Sequence, residues 1–169
     1  TSQTPPFCPQ EDGSIELVQL HKRYGSAPAV RVAMDTLVST PLVMVAQHDN
    51  FFVNDAPVRQ IVDRMTKNPG LNIGATCIHF LSTATLSYQQ KVKIRYGLDL
   101  TPVKVTGLDY PLVPLAFWYG RTHITYSSYV REVVLNRDTP TGSHLEELLG
   151  QRQLQDIIEK GPQAHKAYG

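Results

Sequence analysis

The chain has 169 residues, 41% of them hydrophobic and 18% charged, with a formal net charge of +1; that balance suits one globular domain with its own core, and neither a polar tract nor a repeat argues for disorder in the middle of the chain. Its 16 Lys and Arg are scattered rather than gathered on one face, so no electrostatic footprint for nucleic acid is legible. No apolar run approaches the ~20 residues of a membrane span, and the N-terminus lacks the basic-then-apolar layout of a signal peptide.

Residues 1–13, broken by Pro5, Pro6 and Pro9, read as an extended arm, and residues 14–169 as a single α/β domain. Ile15, Val18 and Leu20 before Gly25 suit either a short strand or a helix. Ser26 and Pro28 form a helix-start pair, followed at helical spacing by Val30, Ala33, Met34, Leu37 and Val38 up to Pro41. The apolar run Leu42 to Ala46 then reads as a buried strand. Asp55 is expected to cap a second helix with Val58, Ile61, Val62 and Met65 on one face, closed by Asn68-Pro69-Gly70.

Residues 71–80 read as another buried strand, with Cys77 as a small core residue. Residues 83–97 fit a helix or a ribbon. Pro111 and Pro114 make residues 110–120 an edge strand or an irregular segment. A helix is expected from Ser127 to Leu135, a loop over 136–143, and a long helix from His144 to Lys160 closed by Gly161-Pro162. Helices alternating with short apolar strands predict an α/β fold with a mostly parallel central sheet flanked by helices, Rossmann-like in layout.

In such sheets ligands bind beyond the carboxyl ends of strands, and Gln47, His48 and Asp49 lie just past the strand 42–46. An aspartate beside a histidine at that place is suited to a divalent cation, Mn or Mg, bridging the phosphate oxygens of a nucleotide. The bland alternative is a turn started by Asp49-Asn50 with His48 packed against it. Glu146 and Glu147 open the last helix, where the helix dipole favours carboxylates in any case; the functional alternative is a general base. Arg121 suits a two-pronged phosphate contact and His123 a further metal ligand, although both residue types more often pack or face solvent.

His21, His79 and His165 read as structural, with His165 able to approach the site if the chain folds back. The two cysteines, Cys8 and Cys77, show no C-x-x-C spacing, which supports neither a zinc site nor a disulfide framework. A phosphate-binding loop, a nucleophile elbow and a dinucleotide glycine fingerprint are absent from the sequence.

Taken in order, "SAPAVRVAMDTLVST", "TPLVMVAQHDNFFVNDAPV" and "SHLEELLGQ" resemble the central and C-terminal part of a family 2-like glycosyltransferase of the GT-A type, over roughly Tyr24 to Gly161. More narrowly, "QHD" with "LGQR" after the acidic pair is similar to a poorly characterised glycosyltransferase-like group. In that family a strand ends in a D-x-D motif that holds metal and nucleotide-sugar diphosphate, and an E-D pair opens a later helix near the acceptor. Gln47-His48-Asp49 fill the first slot and Glu146-Glu147 the second, so Gln47 stands where the motif has its first Asp and Glu147 where the pair has its Asp.

The resemblance implies Asp49 as principal metal ligand, His48 or Gln47 supporting the diphosphate, and Glu147 or Glu146 as base in an inverting transfer from a nucleotide-sugar donor to a saccharide, lipid or protein acceptor. The family's first strand and helix would lie upstream of Ser26, so the domain is expected to be incomplete at its N-terminus and part of a longer chain. Two other readings stand beside it: a non-catalytic α/β binding module or inactive relative, and a metal-dependent nucleotidyl or phosphoryl transferase. The first of the three requires the Q-H-D strand end and the acidic pair to open onto one cleft.

Overall fold

The computed structural model describes residues 19–21, 25–47, 52, 55–67, 75–80, 87–135 and 144–168. Within them the chain is mixed α/β. Helix α1 (Ser26–Thr36) buries Ala27 and Met34, spaced with Val30 on one face so that all three meet the core. Its N-cap is Gly25, with no side-chain cap hydrogen bond, so the expected hydroxyl cap from Ser26 is not made. The helix also stops well before Pro41, where Thr36 turns its hydroxyl back to the Val32 carbonyl at 2.7 Å.

Strand β1 (Leu42–Val45) follows, then α2 (Val58–Lys67). The amide of Ile61 bonds the Pro57 carbonyl at 3.0 Å, so α2 starts after Pro57 rather than at a cap from Asp55. Ile61 and Met65, four apart, are its buried pair, and Arg64 and Lys67 occupy the last turn, where the helix dipole favours cations. After β2 (Cys77–His79), residues 88–96 settle as helix α3 (Tyr88–Tyr96), which buries Tyr88 and Val92 and leaves Ile94 77% exposed. The prolines keep residues 110–120 irregular, apart from one bridge between Val103 and Leu112.

Strand β3 (His123–Tyr126) is the centre of the sheet, and no strand is expected there from the sequence. The strand order is β1-β3-β2, and both pairings are antiparallel, with Val45 opposite His123 and His79 also opposite His123. The described residues therefore form a small three-stranded antiparallel sheet. Strands β1 and β2, joined through α2, do run in the same direction, but β3 lies between them and reverses each ladder. Alternation of helix and strand in the sequence carries no information about a strand inserted later in the chain.

The sheet is covered on both faces. Ile78 and Ile124 meet Ile61 and Met65 of α2 on one side. On the other, Val43 and Cys77 meet Ala27, Met34, Trp118 and the helical segment after β3. That segment is α4 (Ser127–Tyr129), continued by a π turn over Val130–Val134. Two arginines tie it to α1: Arg31 donates to the Leu135 carbonyl, and Arg131 donates to the Met34 and Val38 carbonyls, each at 2.7 Å, which satisfies otherwise orphaned helix-end acceptors.

The last long helix opens as a π turn, Glu146–Gly150, and continues as α5 (Gln151–Lys160). A Cβ on Gly150 would lie 2.4 Å from Phe117 Cε1 and 2.7 Å from the Trp118 carbonyl oxygen. Only glycine lets this helix approach residues 117–118 so closely. The 3₁₀ tail Pro162–Ala167 folds back, and Tyr129 donates its hydroxyl to the Tyr168 carbonyl at 2.6 Å.

Candidate functional site

Strand β1 delivers Gln47 two residues beyond Val45, beside the chain that enters β3. The π turn delivers Glu146 to the same place. The Gly120 amide donates to Glu146 Oε1 at 2.5 Å. The position that a Gly120 Cβ would occupy is 3.1 Å from Gln47 Nε2 and 3.3 Å from Glu146 Oε1. One glycine thus separates the strand end of the Q-H-D motif from the first carboxylate of the acidic pair.

The two glutamates differ in surroundings. Glu146 is partly buried and engaged by Gly120, whereas Glu147 is exposed. Tyr119 and Arg121 flank the junction on either side of Gly120. The Arg121 guanidinium carbon lies 5.9 Å from the Tyr119 ring centroid, within cation–π range. Burial holds the Tyr119 phenol above its ordinary range, with the Tyr96 hydroxyl and the Glu146 carboxylate adding to the rise and Arg121 opposing it. His48 and Asp49 lie outside the described residues.

His123, the first residue of β3, is buried. Its Nδ1 lies 2.5 Å from the Arg121 carbonyl oxygen, so that nitrogen carries the proton and donates. The ring stacks on His79 with centroids 4.8 Å apart, and Trp118 meets both rings edge-on. Cys77, on the same face of β2 as His79, has its sulfur 3.3 Å from His79 Nε2. Burial pushes His79 down to about 3, helped by the charges of His123 and Arg121, and also lowers His123. Burial pushes the Cys77 thiol up to about 12.

The candidate residues thus divide into two groups. Gln47, Glu146 and Arg121 gather around Gly120 near the surface, with Glu147 facing solvent; His123 joins Cys77 and His79. Gly120 as the meeting point is not legible in the sequence, where Cys77 reads as a small core residue and His79 as structural. The signal for His79 was its two-residue spacing from Cys77 in a strand, which puts both on one face. His165 is lowered by burial and lies at the Leu115 backbone, within the folded-back tail. No family model, no curated protein and no solved structure matches this chain.

Proposed function

We propose that the protein is a glycosyltransferase of the GT-A type, or a piece of one, that transfers a sugar from a nucleotide-sugar donor with inversion. One observation carries the reading: Gln47 and Glu146, distant in sequence, converge on Gly120. The reading requires that convergence, because donor diphosphate and acceptor hydroxyl must meet within one small-ligand pocket.

The described side chains at the junction are the Gln47 amide and the Glu146 carboxylate, oxygen chemistry that suits Mg or Mn better than a softer ion. Asp49 would hold the ion with His48 or Gln47 beside the diphosphate, and the bound ion would neutralise charge on the departing diphosphate. Arg121 would add a forked contact to the same phosphates. Glu147, exposed where Glu146 is tied to the Gly120 backbone, would take the acceptor proton, and Glu146 would hold the helix start. In this reading β1 and β2 belong to a larger, mostly parallel sheet. Further strands would join at the outer edge of β1, beside an apolar groove of about 360 Å³ that includes Leu42, Met44, Val58 and Val62.

The Glu146–Gly120 hydrogen bond also favours a second reading, a non-catalytic binding module in which the carboxylate serves only the backbone. Nucleotide titration separates the two. Calorimetry with UDP and GDP, each with and without Mn, is expected to show Mn-dependent binding that Asp49→Ala abolishes. Binding of neither nucleotide, or an Asp49→Ala variant indistinguishable from the parent, would sink the transferase. A nucleotidyl or phosphoryl transferase would bind likewise but release a different product.

A further inference from the structure

We infer that Cys77, His79 and His123 form a three-ligand site for a zinc-class divalent ion, with a ligand set that does not include Asp49, His48 or Gln47. The ligand atoms of the three residues, one thiol sulfur and two imidazole nitrogens, all lie within 4.8 Å of one another. The sheet puts them there. Cys77 and His79 alternate on one face of β2, and His79 is paired across the ladder with His123 on β3. A zinc ion would draw the three ligand atoms in to the ~2.0–2.3 Å bond lengths it requires.

The second layer fits the same assignment. His123 Nδ1 is committed to the Arg121 carbonyl, the arrangement that fixes a metal-binding imidazole and leaves Nε2 as the ligand. The Cys77 sulfur and His79 Nε2 already face each other at 3.3 Å, close to the edge of a tetrahedron around zinc. Trp118 packs edge-on against both rings. A bound cation is what would ionise a thiol that burial otherwise keeps protonated. Imidazole and thiolate together select zinc over Mg or Mn. Three protein ligands leave a fourth position for water or another donor.

The site would also anchor the junction, because its His123 ligand holds the Arg121 backbone one residue from Gly120. It stands without the transferase reading, since it uses neither Asp49 nor the glutamates.

The test is a Co(II) titration of metal-free protein carrying Cys8→Ser, which leaves Cys77 as the single thiol. One Co(II) per chain is expected, with tetrahedral visible bands and a near-ultraviolet thiolate charge-transfer band, all erased by Zn(II). Cys77→Ser should lose the charge-transfer band, and His79→Ala or His123→Ala should weaken binding on the order of tenfold or more. A measurement that needs no ligand variant covers the case in which these fail to fold: Zn(II) should slow alkylation of Cys77 on the order of tenfold or more. Co(II) spectra without the charge-transfer band, or alkylation unaffected by Zn(II), would overturn the site.

Discussion

The Gly120 amide donates to Glu146 Oε1 at 2.5 Å, joining the entry of β3 to the first turn of the last long helix. A hydrogen bond to a charged acceptor is worth roughly 1.5–3 kcal/mol, the upper part of that range applying to buried groups. Glu146 is partly buried, so Glu146→Ala is expected to destabilise the fold by about 1–2 kcal/mol. Glu147→Ala, at an exposed position, should change stability by no more than about 0.5 kcal/mol. Urea unfolding of both variants checks the contrast, and equal losses would contradict the division of labour between them.

Two glycine replacements should differ in severity. At Gly120 a methyl group meets only side-chain atoms, at 3.1–3.3 Å, and those can yield, so Gly120→Ala should cost about 1 kcal/mol while displacing Gln47 or Glu146. At Gly150 the methyl would meet the Phe117 ring at 2.4 Å and a backbone carbonyl at 2.7 Å. Gly150→Ala should therefore cost about 3 kcal/mol or more, because the helix must retreat from residues 117–118. Thermal unfolding of the two variants gives the order directly.

Acid should weaken the protein through its buried histidines. His79 is pushed down to about 3 in the folded chain, chiefly by burial, and His123 is also lowered; in the unfolded chain both titrate near 6.5. Below about pH 6.5 the unfolded state binds more protons, so stability is complete above that value and falls as pH drops toward 3. The slope is at most about 1.4 kcal/mol per pH unit for each histidine. In metal-free protein, His79→Gln should flatten the fall measured by urea unfolding between pH 6.5 and 4. An unchanged slope would show that His79 gains protons in the folded state.

Much of the helical framework is legible in the sequence. Val30, Met34 and Val38, expected on the apolar face of α1, meet the core, although Leu37 is exposed and the buried Ala27 is not read from the spacing; Ile61 and Met65 form the buried face of α2, and Gly161-Pro162 ends α5. The central strand is not legible, for a physical reason. His123 and Thr125 are buried polar residues, and their presence breaks the apolar run by which a buried strand is recognised. Strand direction is equally silent, because β3 enters the sheet between β1 and β2 from much later in the chain.

The candidate site was legible in part. Gln47 and Glu146 stand out through the company they keep in the sequence, but their meeting depends on Gly120, a residue with no side chain to announce a role. Cys77, His79 and His123 share no sequence spacing of a metal motif; only the ladder between β2 and β3 puts them together.

The central claim is tested most directly by calorimetric titration of the protein with UDP and GDP in the presence and absence of Mn. Saturable binding that requires Mn, and that disappears when Asp49 becomes alanine while the fold persists, is the result expected of a donor site at the end of β1. Nucleotide uptake indifferent to both the ion and the aspartate, or none at all, would contradict it.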